Sequence, residues 1–306
     1  MAILKVLADN PRYALMRGVA RFTPVRWGVS RLKGVLESGV AARHERELLA
    51  GMHTTLFRDA DRQALLGSLN ARGCAFGLQL PESILTAIQQ YADSSAVFAY
   101  RNENHGFHPG ERVKAESALG KEILLAQYYN SEDGCEAIRT VAADPLLNWV
   151  ALKYLGSMPK FLGVNLWWTY PVRPSREDQL KHAHFFHRDI DDFKFLKFFF
   201  YLTEVESGDG AHWLVSGSHR KPPYIRVKDR FLLRRFEDAE IRQFYDPEAV
   251  VEIIGAPGLG FAEDTLCVHK AASPTRRPRL ILQLQFALFD FESASDRRDP
   301  ALLRMI

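Results

Sequence analysis

Hydrophobic positions recur at two different periods along this chain, and the change falls near residue 160. Before it the spacing is helical. In "LPESILTAIQQYA", Ile84, Leu85, Ile88 and Tyr91 share one helix face, and Pro81 stands where a first-turn proline is tolerated. "DPLLNWVALKYLG" predicts a helix with Asp144 as N-cap, Pro145 at the first helical position and Gly156 as the stop, with Pro159 beyond. Residues 60–156 therefore read as mostly helical. Nearer the start, Leu15, Val19, Phe22, Val29 and Leu32 recur at steps near the helical period, which predicts an amphipathic helix or helix pair.

From about residue 161 the texture is that of strands. "FLGVNLWWTY", "FLKFFFYLTEV", "AHWLVSGSH", "AVVEIIG", "GLGFAEDT" and "RLILQLQFALF" are short aromatic or β-branched runs bounded by Gly, Pro, Asp or Ser. Many such strands without intervening helices predict a sandwich or barrel, with a double-sheet jelly roll the economical choice. The expected fold is mainly β with helical additions (α+β), a double-stranded β-helix core over about 161–290 flanked by N-terminal helices. The charged segment 219–248 interrupts the strands as an insertion with some helix. Residues 1–50 form a basic, helical extension.

Composition narrows the class. The 306 residues are 47% hydrophobic and 25% charged, as in ordinary soluble proteins. A net charge of +3 gives no reason to expect a nucleic-acid partner. Charge is uneven, however: residues 1–34 hold Lys5, Arg12, Arg17, Arg21, Arg26, Arg31 and Lys33 against Asp9 alone. That suits weak contact with a membrane surface through residues 1–45, or a solvated arm packed loosely on the body. Cys74, Cys135 and Cys267 are odd in number and form no C-x-x-C pair, which argues against a disulfide framework and suits a reducing cytosol. No apolar run approaches the roughly 20 residues of a spanning helix, and Lys5, Asp9 and Pro11 break the first one, so a cytoplasmic protein is expected.

The densest chemistry is "HAHFFHRDID", residues 182–191, directly ahead of the apolar "FKFLKFFFYL". Residues i and i+2 of a strand share a face, so His187 and Asp189 form the one His–carboxylate pair of the stretch. His182 and His184 pair only with each other. An imidazole beside a carboxylate grips a divalent metal from adjacent corners, and a third ligand must come from another strand. Two His and one carboxylate on one face of an octahedron leave three positions open, the pattern of non-haem Fe(II) oxygenases. The plainer reading is a surface salt-bridge cluster with Arg188, Asp191 and Asp192. Downstream, "TLCVHKAASPTRRPRLILQLQF" places His269 after a strand-like run and Arg279 at the head of the next. There Leu280, Leu282, Leu284, Phe286 and Leu288 take one face, and Arg279, Ile281, Gln283 and Gln285 the other. An arginine buried at a strand head requires an anionic partner, and its planar fork suits a carboxylate.

In this order the motifs resemble the phytanoyl-CoA dioxygenase family of Fe(II)/2-oxoglutarate-dependent oxygenases. "FHRDIDDFKFLKFFFYLTEVESGDGAHWLVSGSHRK" is similar to the family's metal strand, the strand after it and its "PGSH" turn, with Ser216 where proline is usual. "GLGFAEDTLCVHKA" resembles the strand that delivers a distal histidine, and "RPRLILQLQF" the one that opens with the cosubstrate arginine. "ARGCAFGLQLPESIL" is similar to the entry, where a glycine-containing strand precedes a helix. The resemblance spans about residues 65–290, within a prospective oxygenase domain of residues 51–306. It implies His187, Asp189 and His269 as iron ligands and Arg279 as the anchor for 2-oxoglutarate, with Arg276 and Arg277 as rivals. It implies a dioxygenase that uses Fe(II), 2-oxoglutarate and O₂ to hydroxylate a C–H bond of a small or carrier-linked organic substrate, releasing succinate and CO₂. Related halogenases carry a small residue in place of the carboxylate ligand, so Asp189 points to hydroxylation.

Several neighbours are more ambiguous. Lys197 reads as a lysine on the solvent face of an edge strand rather than an interior one assisting the cosubstrate, and Asn165 has the same two readings. His212 and His219 read as turn or loop residues. Phe185, Phe186, Trp167 and Trp168 either wall off the centre or belong to the core. The basic run "HRKPPYIRVKDRFLLRRF" offers a cationic lid or pairs with the acids after it, Glu237, Asp238, Glu240, Asp246 and Glu248. Two non-enzymatic readings remain open: a jelly roll that binds metal or sugar without catalysis, and an oxygenase scaffold kept for regulation.

Overall fold

The computed structural model describes residues 10–172, 185–225, 229, 234–292 and 296–306. Helices α1 (Pro11–Val19), α2 (Thr23–Leu36), α3 (Ser38–Ala50) and α4 (Arg62–Arg72) come first. Strand β1 (Cys74–Gln79) leads into α5 (Glu82–Ser94), β2 (Val97–Ala99), β3 (Gly106–Phe107) and α6 (Arg112–Leu119). Then follow β4 (Leu125–Gln127), α7 (Ser131–Gly134), α8 (Glu136–Ala142) and α9 (Pro145–Leu155). The later half holds β5 (Lys160–Thr169), β6 (Phe195–Tyr201), β7 (His212–Val215), α10 (Asp238–Phe244), β8 (Val250–Ile253), β9 (Leu259–Glu263), β10 (His269–Ala271) and β11 (Arg279–Ala287).

Local chemistry sets several boundaries as expected. Asp144 caps α9 by accepting from the amides of Leu146 and Leu147, Pro145 opens it, and Gly156 ends it with φ +77°. In α5, Leu85 and Ile88 are buried and Pro81 is the N-cap. Residues 60–156 are less uniformly helical than their periodicity predicts, because β1 to β4 lie among the helices. The strands β2, β3 and β4 are two or three residues long, too short to show an alternation of their own.

Among the described residues, eight strands form one antiparallel sheet in the order β1-β9-β6-β11-β5-β4-β2-β3, and three form a second in the order β10-β7-β8. Alternation divides the large sheet cleanly. Val164, Leu166, Leu196, Phe198, Phe200, Leu280, Leu282, Leu284 and Phe286 point to a core shared with the helices, where Leu85, Ile88, Leu147 and Val150 meet them. The other face holds Phe199, Tyr201, Phe261 and Ile281, packed against Ala211, Leu214 and Ile253 of the small sheet's side. Toward one end of this second face the apolar packing gives way to polar side chains, and there a cavity opens.

At the periphery, the N-terminal segment forms separate helices, as the pair reading allowed, with Thr23–Pro24 opening the second. Its inward face, however, is not apolar: the buried side chains of α2 are Arg26 and Lys33 while Leu15, Phe22 and Leu32 are exposed. In the insertion, α10 supplies the expected helix, and Arg234 pairs with Asp229 at 2.7 Å and Glu240 at 2.9 Å. Arg226, Lys228 and Arg230 of the basic run lie outside the described residues.

Candidate functional site

The site forms where the two sheets part, and a turn carries one of its histidines from the first to the second. After β9, the Asp264 side chain accepts from the amide of Leu266 at 3.0 Å and from Tyr154 Oη at 2.6 Å, while its carbonyl takes the Cys267 amide. Asp makes such self-bonded turns readily. Ser218, in the "SGSH" turn, accepts from the Val268 amide at 2.7 Å and donates to the Val215 carbonyl. His269 is thus held from both flanks at the start of β10.

The H-x-D stretch meets it directly. His187 and His269 exchange both backbone hydrogen bonds, at 2.9 and 3.0 Å, and the Asp189 amide donates to the Thr265 carbonyl. This is an isolated bridge and not the strand that the spacing suggested, because the facing segment turns and cannot continue a ladder. It is enough to gather the side chains. One ligand atom each from His187, Asp189 and His269 lies within 4.8 Å of the others. His187 Nε2 is 3.5 Å from one Asp189 oxygen and His269 Nε2 is 3.6 Å from the second. His187 Nδ1 donates to the Phe185 carbonyl and His269 Nδ1 to that of Cys267, both at 2.9 Å. A carbonyl only accepts, so each ring carries a proton on Nδ1 and turns Nε2 toward Asp189.

Lys197 does not face solvent from an edge. Strand β6 is interior, between β9 and β11, and Lys197 is buried with its ammonium 2.7 Å from Asp189 and 2.8 Å from Asp191. Burial works to lower the pKa of this amine, but the two carboxylates outweigh it and hold the lysine charged. Burial likewise works to raise the Asp189 carboxyl, and Lys197 with the two imidazoles holds it below the ordinary carboxylate range. His187 is pushed down to about 3, first by burial and then by His269. His187 is therefore neutral and Asp189 ionised at neutral pH, the protonation states that metal binding needs.

Cross-strand register sets the rest of the inner face. Lys197 pairs with Glu263 on one side and Gln285 on the other, and Gln285 also donates to Asp191 at 3.2 Å. The next inward row is Phe261, Phe199, Gln283 and Asn165, where Asn165 accepts from Gln127 at 3.0 Å. Arg279 faces Thr169. His212 is a strand residue lining the cavity and not a turn residue: its ring stacks on that of His269 at 5.5 Å. His212 Nε2 is 2.7 Å from Glu263, but neither that nitrogen nor either Glu263 oxygen has an aligned hydrogen bond. Burial pushes Glu263 up to about 8 and His212 down to about 3, so both sit neutral. His219, by contrast, is in a turn, as expected.

Arg279 is 1% exposed, at the head of β11. It donates to the Gly210 carbonyl and, at 3.4 Å, to Thr169 Oγ1, while its Nε has no partner. Among the described residues no carboxylate lies within ion-pair distance of it. Its rivals are otherwise engaged: Arg276 and Arg277 are half-exposed and pair with Glu204, Glu206 and Asp209. His187, Asp189, His269 and Arg279 line one cavity of about 700 Å³, together with Trp167 and Phe199. Trp168 points instead to the helix-side core, and Phe186 packs with Phe236 and Ile241. His182 and His184 lie outside the described residues.

Asp191, Glu263 and His212 were not singled out from the sequence as parts of the site, and Lys197 was weighed as one but read as facing solvent. A signal existed: Lys197, Phe199 and Tyr201 share a face of β6, as Phe261 and Glu263 do of β9. What it lacked was the partner strand. The large sheet's two edges, β1 and β3, lie far along the chain from β6, so nothing local marks β6 as interior.

No family model and no curated protein matches this chain. Among solved structures it is similar to EvdO2 from Micromonospora carbonacea var. aurantiaca complexed with 2-oxoglutarate, at 19% identity over 76% of this chain and 93% of that one, TM-score 0.48. It is similar to SnoK, a non-heme alpha ketoglutarate dependent carbocyclase from nogalamycin biosynthesis, at 14% identity over 76% and 85%, TM-score 0.49. A third is the epimerase SnoN in complex with Fe3+, alpha ketoglutarate and nogalamycin RO, at 15% identity over 74% and 82%, TM-score 0.47. With TM-scores below 0.5, these likenesses leave the site's own side chains to carry its chemistry.

Proposed function

We propose that this chain is an Fe(II)- and 2-oxoglutarate-dependent dioxygenase of the phytanoyl-CoA dioxygenase type, built on a double-stranded β-helix. In this reading it hydroxylates a C–H bond of a small or carrier-linked organic molecule. The supporting observation is the charge arrangement in and beside one cavity. Next to the three ligands, Asp189 and Asp191 are offset by Lys197 and Arg279, and burial keeps the neighbouring Glu263 protonated at neutral pH. The rest of the lining, Arg101, Arg297 and Arg298 against Glu292, adds positive charge that favours an anionic ligand. A divalent cation on His187, Asp189 and His269 adds two positive charges, and a dicarboxylate keto acid removes them. A buried guanidinium without an acid of its own is costly unless a ligand supplies one.

The donor set fits iron: two imidazole nitrogens and one carboxylate, with room left for further ligands. When bound, the ferrous ion would couple the oxidative decarboxylation of 2-oxoglutarate, with O₂, to oxidation of the substrate and release of succinate and CO₂. The chain's residues do the positioning. The Phe185 and Cys267 carbonyls orient the two imidazoles. Lys197 donates to one Asp189 oxygen, which would leave the other for a metal. Arg279, braced by Gly210 and Thr169, would take the carboxylate remote from the metal, while Trp167 and Phe199 line an apolar stretch of the wall that limits water.

Purified protein loaded with Fe(II) in air is expected to convert 2-oxoglutarate to succinate, slowly in the absence of the primary substrate. Asp189→Ala is expected to lose Fe(II) binding and turnover together. Wild-type turnover in that variant would remove Asp189 from the metal and sink the assignment.

A further inference from the structure

Helix α2 is built inside out. Its buried side chains are Arg26 and Lys33, whereas Trp27, Leu32, Val35 and Leu36 keep 63%, 62%, 67% and 74% of their surface exposed. Val25, Leu32, Val35 and Leu36 follow one another at steps of seven, three and one, which puts them on one face. Leu15 in α1, Phe22 at the N-cap of α2 and Val40 in α3 are exposed as well.

The arrangement is anchored and not a loosely packed arm. Arg26 donates to the Ala20 carbonyl at 2.7 Å and to Thr23 Oγ1 at 3.1 Å. Lys33 pairs with Glu37, whose carboxylate also accepts from the Met158 amide at 3.1 Å, and its ammonium lies 5.4 Å from the Phe289 ring. Gly34 approaches α9's end so closely that a Cβ there would stand 2.7 Å from the Gly156 carbonyl oxygen. Turning the apolar face inward would strip the contacts to Met158, Phe289 and Gly156. Each large side chain left in water forgoes the gain of burial, so a stripe of this kind marks a surface that something else covers.

Charge selects the partner. Residues 11–50 carry eight Lys and Arg against three Glu, an excess greater than the net +3 of the whole chain. Arg12, Arg31, Arg43 and Arg46 are exposed among the apolar side chains, and the Arg31 guanidinium stacks 5.1 Å from the Trp27 ring. Two copies meeting through this face would bring like charges together. An anionic bilayer takes both features at once: acyl chains receive the apolar stripe, headgroups meet the arginines, and tryptophan favours the boundary between them. No described helix is long and apolar enough to cross a membrane, which leaves α2 to lie along it.

We propose that α1 to α3 dock this protein peripherally on an anionic membrane surface, with the Val25–Leu32–Val35–Leu36 face of α2 entering the headgroup boundary. The test is co-sedimentation of the full-length protein with vesicles of phosphatidylcholine and phosphatidylglycerol, against phosphatidylcholine alone. Binding is expected to the mixed vesicles and to weaken with added salt. The double variant Leu32→Glu, Leu36→Glu, both exposed positions, should bind at least about tenfold more weakly. Its thermal melt and its ability to bind Fe(II) should match the parent's. Trp27→Ala serves as a second, milder variant with the same direction of effect. Failure of the parent protein to sediment overturns the proposal, as does undiminished binding of the double variant. Self-association seen by light scattering without vesicles, and abolished by the double variant, would assign the face to a second copy and overturn it equally.

Discussion

Arg279 illustrates what a single buried charge can disclose. Its position on β11 was legible, because the alternation of Leu280, Leu282 and Leu284 leaves it on the opposite face from the core. Its partners were not, since Gly210 and Thr169 come from other segments. Burial lowers the pKa of this guanidinium, a sign of how poorly the ligand-free site compensates it. A buried charge with no carboxylate in ion-pair distance carries a desolvation cost that an apolar residue of similar length does not. Arg279→Met should therefore leave the ligand-free protein as heat-stable as the parent or more so. The same variant should lose affinity for 2-oxoglutarate by about thirtyfold, some 2 kcal/mol, with Fe(II) binding kept. Thermal melts and the 2-oxoglutarate dependence of succinate release measure the two effects. Unchanged dependence would take Arg279 out of the site.

At the scale of elements, the chain's own punctuation set many boundaries, and contact between remote segments set the site. Asp144, Pro145 and Gly156 bound α9 as their residue types dictate. The H-x-D stretch, in contrast, pairs by a single bridge, and its facing segment is held by α4's end. Gly73 there has φ +76° and its carbonyl accepts the Asp264 amide at 2.9 Å. A Cβ at Gly73 would collide with Cys267 Sγ and His219 Nδ1. Gly73→Ala is expected to cost about 2 kcal/mol or more in urea unfolding, through backbone strain and overpacking together. Because Cys267 is two residues from His269, Fe(II) affinity should fall as well. Parental stability would show that the turn relaxes freely.

Across the whole molecule, buried acids tie stability to pH. Asp192 is fully buried and accepts from the Phe193 amide at 2.6 Å and the Phe289 amide at 2.7 Å. Burial raises its carboxyl to about 7 despite those donors. An unfolded chain releases this proton near about pH 4, so between there and about pH 7 the native state holds one proton more than the unfolded state. This group's contribution is therefore fully present below about pH 4 and is lost as pH rises through about 7, at up to about 1.4 kcal/mol per pH unit. Asp192→Asn should flatten that part of the curve of unfolding free energy against pH. An equal slope in parent and variant would assign it to another group.

The sequence by itself determined what neighbouring residues decide together. Alternation separated Arg279, Gln283 and Gln285 from the leucines between them, capping residues bounded α9, and the His187–Asp189 spacing marked a candidate metal-ligand pair. Those follow from backbone periodicity and side-chain chemistry over a few residues. Only the tertiary structure decided that β6 is interior, that Lys197 stands between Glu263 and Gln285 with its charge on Asp189 and Asp191, and that α2 hides arginine while exposing leucine. Strand partners and docked faces are chosen between segments far apart in the chain, where no local period records the choice.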